Sequence, residues 1–347
     1  MRLYNKVDRK VLKEGIEKDP RPRITLSFYK YAHILNSPLF RDHLYILLQD
    51  IGVLGRIYVS SEGINAQISV LEDNYNLLIE ALDTITFLSG VRLNRAIEDN
   101  GKSFYKLKIK LRNKIVADGL DDSGFDVTNK GKHLTAAEFN SLSESEDSIV
   151  IDMRNHYESE VGHFEDAVIP DVETFREALP HVENILSGKE DKNIIMYCTG
   201  GIRCEKASAY FKHKGFENVY QLEGGIIEYA RQAKKQNLPN KFKGKNFVFD
   251  DRLGEKISDD VISSCHQCGQ ASDNHNNCAN DACHILFIQC DACGKKWEGC
   301  CSEKCRDFNK LPEDQQSELR KSLEFNGTKF GKGRYKAHRK SNTLDIV

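Results

Sequence analysis

Long apolar runs, an apolar leader segment and an excess of one charge are all missing from this sequence. No stretch approaches the roughly 18 consecutive apolar residues that a membrane-spanning helix needs, so no such helix is predicted. The first 23 residues are polar and charged, which argues against a secretory signal peptide. We therefore expect a cytoplasmic protein without a membrane partner.

Positive and negative charges are nearly balanced. The chain of 347 residues carries 50 Lys and Arg against 52 Asp and Glu, a net charge of −2. Nucleic-acid binding therefore cannot be argued from total charge, only from local clusters. The length suggests two or three domains, since a domain commonly holds roughly 150 residues.

Cysteine, by contrast, is plentiful. Eleven cysteines in a reducing compartment indicate metal binding or catalysis rather than disulfide bonds. Two stand at positions 198 and 204, and nine lie between positions 265 and 305. This distribution separates a candidate catalytic position from a candidate metal-binding segment.

The first third of the chain alternates strand-like and helix-like segments. Their order is β-α-β-β-α-β, which predicts a ferredoxin-like domain over 24–116. The last predicted strand has apolar side chains on one face and basic side chains on the other, because strand side chains alternate. The predicted strands are Ile24–Ala32, Ile57–Ser60, Ile64–Ser69 and Phe104–Leu111, and the predicted helices are Ser37–Asp50 and Leu71–Phe87.

The middle of the chain has a different pattern. Short apolar strands alternate with helices over 133–236, which indicates a parallel α/β sheet. The predicted strands are Ser148–Asp152, Asn193–Tyr197 and Val219–Leu222, and the predicted helices are Glu205–Lys214 and Ile226–Lys235. The other predicted ranges are a lead-in (1–23), a linker (117–132), a basic connector (237–264), a Cys-rich module (265–310) and a tail (311–347).

One cysteine stands between a predicted strand and a predicted helix. Cys198 is expected to face loop amides and a helix N-terminus, which stabilise a thiolate and lower its pKa. Glycines in the loop allow a tight turn, and Arg203 adds a fixed positive charge. The sequence therefore predicts Cys198 and Arg203 as catalytic residues, with a buried structural cysteine as the alternative. The predicted active-site loop consists of Thr199, Gly200, Gly201 and Ile202.

Two separated motifs resemble the signatures of the rhodanese superfamily. The first is Ile151-Asp152-Met153-Arg154 with Glu158 and Gly162-His163-Phe164, and the second is Cys198 with Arg203, Gly215-Phe216 and Leu222-x-Gly224-Gly225. The resemblance covers roughly 133–235 and implies a central rhodanese α/β domain, with Cys198 as nucleophile or sulfur carrier. Four residues separate Cys198 from Arg203, one fewer than in the related phosphatases, and this shorter loop is typical of sulfur transfer. Asp152, Arg154 and Glu158 are expected to form ion pairs that fix the loop.

The whole chain resembles the oxygen-dependent tRNA uridine hydroxylase family. The resemblance lies in Ser60–Asn65, Cys198–Lys206 and Asn277–Asn280, and in a ferredoxin-like or acylphosphatase-like domain followed by rhodanese and Cys-rich parts. It implies hydroxylation of the wobble uridine (position 34) of tRNA at C5 to 5-hydroxyuridine. Molecular oxygen would be the co-substrate and tRNA the partner, with no DNA partner. One possible route is addition of the thiolate to C6 of uracil, and no flavin or haem motif accompanies it.

Three runs of basic residues without acidic ones give independent support for RNA binding, since phosphate contacts need such clusters. The runs lie at 102–114, 231–245 and 329–340. Aromatic residues among them could stack on bases, and solvated surface is the alternative interpretation. The residues predicted to contact RNA are Lys106, Lys108, Lys110, Arg112, Lys241, Lys243 and Lys245.

The Cys-rich segment has the spacing of a zinc module. Cys265-x2-Cys268 and Cys290-x2-Cys293 are separated by 21 residues, close to the spacing of zinc ribbons. Four of the five remaining cysteines could hold a second ion, and zinc held by four thiolates would be structural. Free thiols are the alternative. The predicted ligands are Cys265, Cys268, Cys278, Cys283, Cys290, Cys293, Cys301 and Cys305.

Two rival functions stay open at this point. A sulfurtransferase would carry persulfide sulfur on Cys198 and show thiosulfate:cyanide activity. A non-catalytic binding module would bind tRNA equally well after Cys198→Ser and would form no product.

Overall fold

The computed structural model describes residues 7–98, 101–120, 124–250, 252–320 and Tyr335. Within these residues no helix combines the length and apolar character needed to cross a membrane.

The N-terminal domain is a five-stranded sheet with helices packed on one face. The strand order is β4-β1-β3-β2-β5, antiparallel except that β5 runs parallel to β2. The elements are α1 (Arg9–Lys18), β1 (Arg23–Tyr31), α2 (Ser37–Asp50), β2 (Leu54–Ser60), β3 (Gly63–Leu71), α3 (Tyr75–Asp83), β4 (Asn94–Arg95) and β5 (Leu107–Leu111), with 3-10 turns at Glu72–Asn74 and Thr86–Leu88.

The ferredoxin-like order is present, but its last strand is not the predicted one. The two-residue β4 completes the order beside β1, whereas β5 is an additional strand at the opposite edge. The helix predicted over Leu71–Phe87 is wrong at both ends, because β3 continues through Leu71 and α3 spans only Tyr75–Asp83. The predicted lead-in contains α1, whose N-cap Asp8 accepts a hydrogen bond from the Lys10 amide.

The two faces of this sheet differ in chemistry. Alternate residues such as Leu26, Ile57 and Ile68 are buried in the core beneath α2 and α3. The intervening residues point to the other face, because strand side chains alternate, and this polar face turns towards the rest of the molecule. It carries Thr25, Ser27, Tyr29, Arg56, Tyr58, Asn65 and Gln67.

The rhodanese domain contains a parallel four-stranded sheet in the order β6-β10-β9-β7, with an apolar cluster on each face. Both predicted helices are present with different ends. The first, α7, begins at Ile202 rather than Glu205, because Gly201 caps it in the left-handed conformation. The second, α8, is one residue longer at each end than predicted. The elements are β6 (Lys132–Leu134), α4 (Ala136–Ser143), β7 (Ser148–Asp152), α5 (His156–Ser159), β8 (Gly162–Phe164), α6 (Phe175–Leu186), β9 (Asn193–Tyr197), α7 (Ile202–His213), β10 (Val219–Leu222) and α8 (Gly225–Gln236).

The C-terminal part is tied to the rhodanese domain by a sheet. The predicted connector contains β11 and β12, and β11 pairs with β8 in the order β12-β11-β8. The elements are β11 (Phe242–Asn246), β12 (Glu255–Lys256), β13 (His275–Asn277), β14 (Leu286–Ile288), α9 (Asp291–Trp297), α10 (Glu303–Asn309) and α11 (Glu313–Leu319). In the predicted tail, Tyr335 stacks on Phe287 and donates to the Cys301 carbonyl oxygen at 2.8 Å.

Candidate active site and metal-binding groups

A cavity of about 870 Å³ lies where the three parts of the chain meet. The polar face of the N-terminal sheet forms one wall, and the loop after β9 forms another. Loops at the carboxyl ends of parallel strands are common positions for ligand sites. The third wall comes from the connector and consists of Val248, Phe249, Asp250, Arg252 and Glu255.

The loop that holds Cys198 depends on glycine at two close contacts. The Gly201 amide donates to the Cys198 sulfur at 3.1 Å. Gly201 has φ +99°, and a Cβ there would lie 2.7 Å from the Tyr29 hydroxyl. Gly225 at the start of α8 touches the loop from behind, since a Cβ there would lie 2.4 Å from the Cys198 carbonyl oxygen. Both positions favour glycine for left-handed backbone and for space.

Cys198 is held as a thiolate at neutral pH. Burial by itself raises the pKa of the thiol. A hydrogen bond from the Cys204 thiol, the charge of Arg203 and the amides of Cys204 and Arg203 outweigh burial and lower the pKa of Cys198 to about 6. Burial and the neighbouring Cys198 raise the pKa of Cys204 far above its ordinary value, so Cys204 remains a protonated donor.

Arg203 is positioned by a buried carboxylate. Its Nη1 and Nη2 lie 2.6 and 2.8 Å from the two carboxylate oxygens of Glu158. Burial raises the pKa of Glu158, but Arg203 and Arg154 bring it below its ordinary value. Arg154 in turn forms a bidentate pair with Asp152, with contacts of 2.9 and 2.6 Å. The ion pairs expected of Asp152, Arg154 and Glu158 are present, and they fix the Arg203 guanidinium beside the loop.

The lowered pKa of Cys198 predicts the pH profile of its alkylation. The thiolate is the reactive form, so the rate with iodoacetamide should rise through about pH 6 in the native protein and level off above about pH 7. Mass spectrometry of the Cys198 peptide measures the rate. In denaturant the same peptide should show a midpoint near pH 8.5. A native midpoint near pH 8.5 would contradict the thiolate assignment.

A buried lysine connects α7, the helix after the Cys198 loop, to the N-terminal domain. Lys206 on α7 is fully buried, and its Nζ lies 2.7 Å from Glu62 and 2.5 Å from Asp118. Glu62 also accepts from the Ile115 amide at 2.7 Å. The Tyr29 hydroxyl donates to Glu205 at 3.2 Å. In the sequence analysis Glu62 and Lys206 appeared only within segments that resemble the hydroxylase family. Their contacts hold the polar sheet face against the loop.

Two lysines of the first run, Lys108 and Lys110, lie on the same sheet face as the cavity wall. Lys108 and Lys110 alternate with core residues of β5, and Lys108 is in register with Arg56 of β2. Arg112 lies over the Tyr58 ring at 5.3 Å. Burial and the nearby charges of Lys108, Arg112 and Arg56 lower the pKa of Lys110. Lys106 precedes the strand and lies over the Tyr105 ring at 5.8 Å.

Three lysines of the second run are paired with carboxylates. Lys241 lies 2.8 Å from Glu144, Lys243 lies 3.1 Å from Glu165, and Lys245 lies 2.9 Å from Asp273. The expectation of an acid-free cluster at these three lysines is therefore wrong in three dimensions, because the carboxylates come from distant segments. Apart from Tyr335, the third run over 329–340 lies outside the described residues.

The eight predicted metal ligands come together as two groups of four. In each group the sulfur atoms all lie within 4.8 Å of one another. The Sγ–Sγ distances are 3.6 Å for Cys268–Cys290 and 3.7 Å for Cys283–Cys301. A tetrahedral ion with Zn–S bonds of about 2.3 Å would need sulfur atoms about 3.8 Å apart, so both groups could hold a metal. The groups are Cys265, Cys268, Cys290, Cys293 and Cys278, Cys283, Cys301, Cys305.

The Cys-rich module packs against the domain that holds Cys198. Leu286 and Ile288 of the module share an apolar cluster with Tyr157 and the connector residue Phe247, and His266 lies 2.7 Å from Glu160. The module has only a small apolar core of its own, in which Ile285 and Phe287 pack among the cysteines. Its position therefore affects the connector wall of the cavity.

Two buried polar residues of the cavity were missed by the sequence analysis. Asn94 is 3% exposed and Glu255 is fully buried, and both line the cavity. The sequence carried no signal for either, because β4 is too short to show a pattern and Glu255 lies within the predicted connector.

Known proteins match the chain over nearly its full length. Family models match as "UPF0176 acylphosphatase like domain" at 23–115, "Rhodanese-like domain" at 135–232 and "Rhodanase C-terminal" at 243–306. A "tRNA uridine(34) hydroxylase" of Photorhabdus laumondii is 51% identical over 99% of this chain and 98% of its own length. Proteins of the same name from Pectobacterium carotovorum and Yersinia pestis are 54% identical, covering 94% of this chain and 92% of theirs. These matches confirm the resemblance seen in the sequence and the predicted fold class, and the chain belongs to the tRNA uridine(34) hydroxylase family.

Proposed function

We propose that this protein hydroxylates uridine 34 of tRNA at C5, giving 5-hydroxyuridine, with molecular oxygen as co-substrate and Cys198 as the reacting group. The observation that carries the proposal is a buried thiolate on the wall of a cavity of about 870 Å³. That volume lies within the roughly 300–1,000 Å³ of small-molecule sites. The reaction belongs in the cytoplasm, where thiols stay reduced.

The Cys198 thiolate adds to C6 of the uracil ring. The S–C6 bond forms, and the C5=C6 electron pair moves towards C5 and O4, so that C5 becomes nucleophilic towards the oxidant. Once C5 carries oxygen, loss of the C5 proton and departure of the thiolate restore the double bond. One oxygen atom of O2 enters the base, and the other leaves as water with two electrons and two protons from an external donor. Arg203 and the loop amides stabilise the sulfur as an anion at both ends of this sequence.

Transfer of persulfide sulfur from Cys198 is the second candidate function. The four-residue separation of Cys198 and Arg203 favours it, since the same loop would stabilise a persulfide anion. Nucleoside mass spectrometry of tRNA from cells with and without the gene, in air and without oxygen, separates the two. We expect 5-hydroxyuridine only with the gene and in air. Unchanged nucleosides, together with a gain of one sulfur atom on Cys198, would favour sulfur transfer instead.

We propose that Lys106, Lys108, Lys110 and Arg112 contact phosphates of the anticodon arm. The polar face of the N-terminal sheet runs from β5 to the cavity through Arg56 and Tyr58, so it offers one continuous surface. Cations beside aromatic rings suit a strand whose bases are unpaired.

Replacing Lys108 and Lys110 together by alanine should weaken tRNA binding about tenfold near 100 mM salt. The slope of log affinity against log salt concentration should also become shallower, by the amount that corresponds to roughly two phosphate contacts. The matched control removes Lys243 and Lys245, which are already paired with carboxylates. Equal losses in the two double alanine variants, measured by filter binding over a salt series, would exclude β5 as the contact surface.

We propose that each group of four cysteines holds one structural zinc ion. Four thiolates leave no open coordination position, so the ion would have no part in the reaction. Backbone amides already donate to the sulfur ligands, with Cys301 N–H 3.3 Å from the Cys278 sulfur and Cys293 N–H 3.5 Å from the Cys290 sulfur.

A further inference from the structure

Among the cavity-lining side chains that are more than nine-tenths buried, two carry an acceptor atom with no hydrogen-bond partner in the described part of the chain. These atoms are Oδ1 of Asn94 and Oε2 of Glu255. Both side chains are more than nine-tenths buried, and both line the cavity. Buried polar atoms are nearly always hydrogen-bonded in native proteins, so an unpartnered pair in a cavity points to a ligand.

Asn94 lies beside the Cys198 loop, and Glu255 is hydrogen-bonded to the segment that follows Asn94. Asn94 Nδ2 is 3.9 Å from the position that a Cβ on Gly200 would take. Three residues after Asn94, the Ile97 amide donates to Glu255 Oε1 at 2.9 Å. A base held by Asn94 and Glu255 therefore lies beside the loop of the reacting sulfur.

Glu255 shares its guanidinium partner, Arg252, with a second carboxyl group, that of Asp250. Arg252 gives a bidentate pair to Asp250, at 2.8 and 2.6 Å, and reaches Glu255 Oε1 with its remaining nitrogen. One guanidinium thus faces two carboxyl groups. Burial, and to a smaller degree Asp250, raises the pKa of Glu255, although Arg252 and the Ile97 amide oppose the rise. A protonated Oε2 is a hydrogen-bond donor.

We propose that Asn94 and Glu255 recognise the imide edge of uracil. Asn94 Oδ1 accepts from N3–H, Asn94 Nδ2 donates to O2, and Glu255, as the neutral carboxylic acid, donates from Oε2 to O4. The inference rests on the proposed function, because it names the residues that would recognise the base in the same cavity.

This arrangement selects uracil against cytosine. The edge of uracil reads acceptor, donor, acceptor, whereas that of cytosine reads acceptor, acceptor, donor. A single amide offers one donor and one acceptor in either orientation, so Asn94 cannot donate to both O2 and N3 of cytosine. A site built from buried hydrogen-bonding groups rejects a base that leaves one of them unpaired.

The test uses full-length variants in cells whose own copy of the gene is deleted, with 5-hydroxyuridine formation followed after induction. Asn94→Ala and Glu255→Ala should each slow formation roughly 10- to 100-fold, the range for loss of a good base contact. Glu255→Gln should stay within about threefold of the wild type, because the amide still donates to the base and still accepts from Ile97. Asn94→Asp, which keeps the shape but loses the donor, should fall like Asn94→Ala.

Asn140→Ala is the matched control. Asn140 is a buried asparagine with two hydrogen bonds on α4, outside the cavity, so its loss should leave formation near the wild-type rate. Melting curves and tRNA affinity of each purified variant report whether it is folded.

Near-wild-type formation by folded Asn94→Asp, or a Glu255→Gln variant as slow as Glu255→Ala, would overturn the assignment. Absence of product with the wild type in the same cells would instead overturn the proposed function.

Discussion

Replacing Cys198 by serine is expected to reduce 5-hydroxyuridine formation by roughly a thousandfold or more. A serine hydroxyl fits the same loop but is scarcely ionised at neutral pH, whereas the Cys198 thiol, with a pKa of about 6, is mostly thiolate. Nucleoside mass spectrometry of tRNA from cells that express each variant measures the loss.

Cys300→Ser is the control for this comparison. Cys300 is a buried cysteine that belongs to neither group of four, so its variant should keep its activity. Retention of even a tenth of the wild-type product by Cys198→Ser would be incompatible with a sulfur nucleophile.

Removal of zinc is expected to unfold the C-terminal module. Structural zinc in small domains contributes an apparent binding free energy of about 10–16 kcal/mol, and the apolar core around Ile285 and Phe287 is too small to replace it. Because the module packs on Phe247 and Tyr157, its loss should displace the connector wall of the cavity and abolish activity.

Metal analysis of the purified protein should find two zinc ions per chain. Cys283→Ser should lower the content to one and broaden or lower the melting transition, while Cys300→Ser should retain both ions. An unchanged melting curve after complete removal of metal would contradict a structural role.

The catalytic loop was predictable because its determinants are contiguous. A strand, a cysteine, two glycines, an arginine and a helix follow one another over 193–213, so the local sequence specifies the turn and the direction of the sulfur. The first group of four cysteines was predictable for a related reason, since the short Cys-x2-Cys spacing places two sulfurs on one side of an ion. The second group has no such spacing, and the predicted ligand list, which left out Cys300, agrees with the four cysteines that come together in the structure.

The remaining errors come from contacts between distant segments. β4 has only two residues, and it forms a strand because β1 supplies its hydrogen-bond partners. The lysines of β11 have no acidic neighbours in sequence, yet Glu144, Glu165 and Asp273 reach them through the fold. No local pattern marks these pairings, because both strand pairing and charge pairing are set by tertiary packing.

The cavity residues show the same limit. Asn94 and Glu255 are ordinary polar residues in the sequence, and what distinguishes them is one buried acceptor atom each with no hydrogen-bond partner in the described part of the chain. Lys206 would be assigned to the surface by residue type, but two carboxylates from outside its helix hold it in the interior.

The attack of Cys198 on C6 can be tested most directly with tRNA that carries 5-fluorouridine at position 34. Fluorine at C5 leaves no proton to lose there, so the bond between sulfur and C6 should persist once formed. Fluoride can still leave once C5 carries oxygen, without breaking the bond between sulfur and C6. Incubation of the full-length protein with this tRNA in air, followed by digestion and mass spectrometry, should give a pyrimidine adduct on the Cys198 peptide, with or without its fluorine, and none in Cys198→Ser. An unmodified Cys198 in protein that has bound the tRNA would contradict the account.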